Sequence, residues 1–145
     1  MRYFLFGLLV LLFSSCLSEP DCIVTASNEV KIAFKKLPSD TSMIIILDSI
    51  LVSGTDSVFN VKDTTSSVVL PVDPRAATTT FRFFYNSTEN ALTLAYKNQT
   101  QMISPDCGAF THFINLEIKV STFADATVST PDLSISSATN VKIKP

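Results

Sequence analysis

The chain has 145 residues, of which 46 % are hydrophobic and 17 % charged, with a formal charge of −2 at neutral pH. That is enough apolar material to pack a core, which excludes an intrinsically disordered chain. Its densest basic cluster is only Lys31, Lys35 and Lys36, so binding to nucleic acid by phosphate neutralisation has no electrostatic footprint.

Met1 and Arg2 make a short positive start, and Tyr3 to Phe13 follows as an apolar run broken only by Gly7. A run of about 11 residues suits the core of an export signal, whereas a membrane-spanning helix needs roughly 20. Ser14 and Ser15 then precede Cys16, an arrangement that resembles the lipobox of bacterial lipoproteins, with Phe13 standing where leucine is usual. The resemblance implies that the Cys16 thiol receives a diacylglyceryl group and that the chain is cut just before it. The alternative is an ordinary signal peptide in which Cys16 is incidental. Lipid is expected to be the whole anchor, because each buried methylene contributes about 0.8 kcal/mol and one acyl chain alone holds only marginally. Ile44 to Leu47 and Ile50 to Val52 are interrupted by Asp48 and Ser49, which suits a core strand rather than a second span. Residues 1–15 are thus read as a signal peptide, 16–21 as a tether and 22–145 as one folded domain. The mature chain keeps ten basic and 13 acidic side chains, a formal charge near −3.

Beyond the tether, alternation with a period of two dominates. Val30, Ile32 and Phe34 alternate with polar neighbours; Phe81, Phe83 and Tyr85 share one face, as do Leu92, Leu94 and Tyr96. The longest run is Phe110, His112, Ile114, Leu116, Ile118 and Val120, and Val141 with Ile143 closes the chain. Successive strand side chains point to opposite faces, so these are half-buried strands of antiparallel sheets. Turn residues fall between them, at Pro38 to Asp40, Ser53 to Asp56, Pro71 to Arg75, Asn86 to Asn90, Pro105 to Gly108 and Pro131 to Asp132. Eight or nine short strands in about 130 residues predict an all-β fold: a single antiparallel β-sandwich, immunoglobulin-like or similar, with a barrel as the alternative. The strands around Ile32 and Ile143 look alike, which would suit the two ends of the domain lying together.

With Cys16 acylated, Cys22 and Cys107 remain as an even pair in an oxidising compartment, which predicts a disulfide. The alternatives are two buried thiols or a metal pair, and one histidine in the whole chain makes a poor metal site.

Several segments, taken in order, resemble a family of short Bacteroidota lipoproteins known only as a domain of unknown function. They are Cys22, Gly54-Thr55-Asp56-Ser57, Leu70-Pro71-Val72-Asp73-Pro74, the strand from Phe81 to Tyr85, Leu92-Thr93-Leu94-Ala95-Tyr96, and Ser104-Pro105-Asp106-Cys107-Gly108. The resemblance covers most of residues 16–145. It implies lipoprotein character and a Bacteroidota source, and no activity.

No catalytic set stands out. His112 lies on the apolar face of its predicted strand, and no nucleophile-elbow motif surrounds a serine, although Ser104 and Asp106 are near it in sequence. No EF-hand loop, phosphate-binding glycine loop or zinc spacing occurs, so neither a cofactor nor a metal is expected. Phe81, Phe83, Phe84 and Tyr85 could form a sugar-stacking platform, but tryptophan is absent and phenylalanine prefers burial. Asp48-Ser49-Ile50, Asp56-Ser57-Val58 and Asp63-Thr64-Thr65 resemble acid–hydroxyl–apolar triplets that Bacteroidota O-glycosylate, which makes Ser49, Ser57 and Thr64 candidate acceptors. The expected function is therefore a non-enzymatic binding or support domain of the cell envelope. It would be lipid-anchored to the outer membrane, facing the periplasm or the surface, with an envelope protein or glycan as partner. A carbohydrate-binding module of a surface glycan system is the alternative, and a hydrolase the weaker third.

Overall fold

The computed structural model describes residue 22, residues 25–54, 57–59, 62, 64–136 and 138–145. The expected signal peptide, Cys16 and the tether lie outside the described residues. The described residues form eleven strands and no helix: β1 (Glu29–Phe34), β2 (Ile45–Ile46), β3 (Ser49–Val52), β4 (Ser57–Phe59), β5 (Thr64–Thr65), β6 (Ser67–Pro71), β7 (Thr78–Tyr85), β8 (Thr88–Ser104), β9 (Gly108–Ser121), β10 (Asp125–Val128) and β11 (Val141–Lys144). A four-stranded sheet runs β10-β11-β1-β6 and a five-stranded sheet runs β4-β3-β7-β8-β9, with β2 and β5 as a separate short pair. Neither large sheet closes on itself, so the fold is an all-β sandwich rather than a barrel.

The alternating residues named in the sequence build the core. Val30, Ile32 and Phe34 of β1, Leu70 of β6, Val141 and Ile143 of β11 meet Ile50, Phe81, Phe83, Leu92 and Leu94 of the opposite sheet in one buried cluster. Phe34 packs edge-on against Phe83 with ring centroids 6.2 Å apart, and Phe83 against Phe123 at 5.5 Å. Each such ring removed from water contributes about 1.5–3 kcal/mol, and edge-to-face pairs add about 0.5–1.5 kcal/mol.

Two features depart from the expected antiparallel alternation. First, β1 and β11 pair in parallel, with Ile32 opposite Val141 and Phe34 opposite Ile143. Parallel neighbours need a long crossover rather than a hairpin, and here almost the whole domain lies between them. Their likeness in sequence reflects a shared job as central strands of one sheet.

Second, the Phe110 to Val120 run does not hold one face. Phe113 and Leu116 are both buried, whereas His112 and Ile114 are only half-buried and Val120 is exposed. The cause is at Asn115, whose φ is +56°. Ala95 pairs with Glu117 and Lys97 with Ile114, so Asn115 and Leu116 together oppose the single residue Tyr96. Such a bulge moves every later side chain to the other face, and asparagine tolerates the left-handed backbone it requires. Another register shift, between Thr93 and Leu94, turns Val120 outward while Ile118 packs against the core. His112 therefore sits on the face opposite Phe113, away from the main core.

β7 joins β8 through Asn86 and Ser87, with φ +50° and +59°. Positive φ at both central residues is the tight hairpin turn whose twist matches the strands. β8 then runs for 17 residues, about 55 Å at strand rise. Only its first half, as far as Ala95, pairs with β7. The rest projects beyond β7 as a two-stranded hairpin with β9, turning at Pro105 to Cys107. The molecule thus has two poles: the Asn86–Ser87 turn at one, the hairpin tip at the other.

Candidate functional site

The strongest surface feature lies at the pole of the Asn86–Ser87 turn. Met43, Ile44, Ile45, Ile46, Tyr85, Asn86 and Pro145 line an open concavity of about 430 Å³. The chain reaches it through the Lys35–Ser42 bridge after β1, and Met43 donates its N–H to the Phe34 carbonyl. Among the described residues β2 pairs only with the two-residue β5. Within it Ile45 turns inward, while Ile44 and Ile46 remain 70 % and 62 % exposed. Isolated exposed isoleucines are ordinary, but two flanking one concavity form an apolar rim. The polar contribution comes from Tyr85. Its ring stacks on Phe123 at 6.5 Å and its hydroxyl accepts from Asn90 Nδ2 at 3.1 Å. Burial pushes the Tyr85 phenol up, and the Asn90 hydrogen bond opposes that shift. Around this pole the hydrogen bond from Lys142 holds the Asp40 carboxyl low, and Asp125, 2.9 Å from Lys144, raises that amine. The arrangement can seat an apolar side chain beside a hydrogen-bonding rim, the usual make-up of a small protein-recognition surface.

Three of the segments named in the sequence meet elsewhere, inside the fold. The Asp73 backbone N–H donates to Thr79 Oγ1 at 2.8 Å, and Tyr96 OH donates to the Asp73 carbonyl at 2.7 Å. Thr79 Oγ1 and Tyr96 OH are themselves 2.7 Å apart. A β-carbon on Gly54 would stand 2.4 Å from Asp73 Oδ2, and the φ there is +86°. Asp73, Thr79 and Tyr96 thus form a buried node, with the exposed Gly54 against its edge, that shapes the Val72 to Ala77 turn; Arg75 N–H also donates to Asp73 Oδ1 at 2.9 Å. Its bonds run from strand to turn, so it is a structural centre.

The remaining expected residues fall as follows. Cys22 and Cys107 are disulfide-bonded, with Cα atoms 5.6 Å apart, so the hairpin tip is fastened to the start of the domain. Ser104 Oγ accepts the Cys107 N–H at 3.0 Å and so shapes the tip turn. His112 pairs with Gln99 and Ser104 with Gly108, four residues away along β9, about 13 Å, so the two are not brought together. Phe81 and Phe83 are fully buried, and Arg82 lies over the Phe84 ring at 5.7 Å while gripping Glu89 with two bonds of 2.6 and 2.8 Å. Two members of the aromatic cluster are therefore core, while Phe84 and Tyr85 stay half-buried at the sheet surface. Ser49 is half-buried opposite Phe84 in β3, Thr64 is exposed in β5, and Ser57 begins β4 opposite Val52; Asp56 and Asp63 lie outside the described residues. Among the described residues no three His, Cys, Asp or Glu side chains gather as a metal site would require.

Asn140 is a buried polar residue that the sequence reading missed. Its Oδ1 accepts the Lys31 N–H at 3.0 Å, and its Nδ2 donates to the carbonyls of Thr130 and Asp132 at 3.2 and 3.3 Å. It sits under a second concavity of about 280 Å³, which Glu29, Val69 and Ile135 also line. The sequence signal for it is its place directly before the Val141 and Ile143 alternation.

Residues 44–144 match the model of a family of unknown function (DUF6452). No curated protein and no solved structure matches the chain.

Proposed function

We propose, for a chain that belongs to the DUF6452 family of unknown function, that it is a lipid-anchored envelope protein acting by binding rather than by catalysis. The anchor is the Cys16 lipid, attached to the outer membrane, and the partner is another envelope protein. The apolar rim of Ile44 and Ile46 beside Tyr85 carries this reading, because it offers a water-exposed apolar seat with a polar edge. The Tyr3 to Phe13 run before Ser14-Ser15-Cys16 supports the anchor.

Two measurements test it. Metabolic labelling with a fatty acid is expected to mark the wild-type protein and to miss Cys16→Ser; a labelled mutant refutes the anchor. Crosslinking in intact cells is expected to trap an envelope protein that is lost in Ile44→Asp/Ile46→Asp. An unchanged crosslinking pattern in that folded variant refutes the rim as the binding surface.

A further inference from the structure

From the course of the chain between Cys16 and Cys107 we infer that the β8–β9 hairpin tip rests on the bilayer. This rests on the reading that Cys16 is acylated. Cys22 follows Cys16 by six residues, which can span at most about 20 Å. Cys22 is in turn bonded to Cys107, with 5.6 Å between their Cα atoms. The tip is thus held by a leash well short of the roughly 55 Å length of β8. The opposite pole, with the Asn86–Ser87 turn, lies at the far end of that strand.

The chemistry of the tip suits a lipid surface. From Asn98 to Leu116 the only ionisable side chains are Asp106 and His112, in a protein whose residues are 17 % charged overall. Met102 is 67 % and Ile103 42 % exposed at the end of the projection, where they have no sheet to cover. In water such side chains gain nothing. In the boundary between headgroups and acyl chains each buried methylene contributes about 0.8 kcal/mol. The hairpin pairs only the backbone groups that face inward between its two strands. Its open edges therefore hold the tip at the level of the headgroups, where water and polar lipid groups can bond them, and out of the hydrocarbon. Seated this way, the tip orients the domain and turns the Ile44 and Ile46 rim away from the membrane, toward a partner.

The chain contains no tryptophan, so one introduced residue reports its own surroundings. The processed, acylated protein carrying Met102→Trp, or Ile103→Trp should the first fold poorly, is reconstituted into phosphatidylethanolamine–phosphatidylglycerol vesicles with brominated acyl chains. Ile46→Trp serves as the distal comparison. The expected result is a blue shift and loss of emission at the tip tryptophan, with Ile46→Trp unchanged. A protein that floats with the vesicles yet shows no quenching at the tip, or quenching at Ile46→Trp instead, overturns the orientation and leaves the anchor standing. A protein that does not float overturns the anchor, and the seated tip with it.

Discussion

The Tyr96 hydroxyl donates to the backbone carbonyl of Asp73 across 2.7 Å, joining the middle of the longest strand to the turn that feeds β7. Thr79 closes the circuit: its oxygen accepts the Asp73 N–H, and its own proton is free to go to the Tyr96 oxygen. Every proton has one acceptor, and no buried side-chain polar atom is left without a partner among the described residues.

Tyr96→Phe breaks that circuit while keeping the ring that packs against Phe113. An unsatisfied buried group costs about 1–3 kcal/mol, so the variant is expected to melt several degrees lower. Circular dichroism melts of the two proteins check it, and equal midpoints refute the node.

The same residues set the alkaline response. Burial raises the phenols of Tyr96 and Tyr85 above their ordinary value, outweighing the Thr79 and Asn90 hydrogen bonds that lower them. A phenol whose pKa is raised on folding contributes stability that is fully present below about pH 10, its unfolded value, and is lost as pH rises through the folded value. Melting temperature is therefore expected to fall more steeply above about pH 10 in wild type than in Tyr85→Phe/Tyr96→Phe. Parallel slopes would disprove the assignment.

Gly54→Ala meets two obstacles: a left-handed backbone and the Asp73 carboxylate, 2.4 Å from the new carbon. The backbone conformation alone costs about 1–3 kcal/mol for a residue other than glycine. The loss in urea unfolding is expected to exceed about 1 kcal/mol. Gly54→Ala/Asp73→Ala should lose less than the two single variants together, because the collision is removed. Strict additivity would show that the carboxylate does not press on this turn.

The Cys22–Cys107 bond closes a loop of 85 residues, and on the chain-entropy account such a crosslink contributes about 4–5 kcal/mol. That is a large part of the 5–15 kcal/mol typical of a domain. Melts with and without a reductant that reaches the bond are expected to differ widely. Coincident curves, with thiol titration proving reduction, would contradict the estimate.

Much of the sheet structure was readable because its information is local. Leu92, Leu94 and Tyr96 state their own face, and Asn86-Ser87 states its own turn. β4 and β5 were missed because strands of two or three residues are too short to show a period. The reversal at Asn115 was hidden for a different reason. A bulge is defined by what stands opposite, and nothing near Asn115 announces that Tyr96 faces two residues. The rim was hidden too: Ile44 and Ile46 read as core, and only the brevity of β2 and β5 leaves them in water. Gly54, Asp73 and Tyr96 were each conspicuous, but their meeting is a fact of tertiary structure.

The place of β11 has a consequence for how this protein comes into being. β11 lies inside its sheet, between β1 and β10, and both Val141 and Ile143 are sealed from water. While the ribosome delivers the chain from its amino end, β1 must wait, one flank unpaired, until residues 141–144 arrive. The pairing of β1 with β6 therefore leaves the sheet open until β11 has been made. A sheet whose second strand in space comes so late in the chain folds as a unit after synthesis, not strand by strand as the polypeptide emerges.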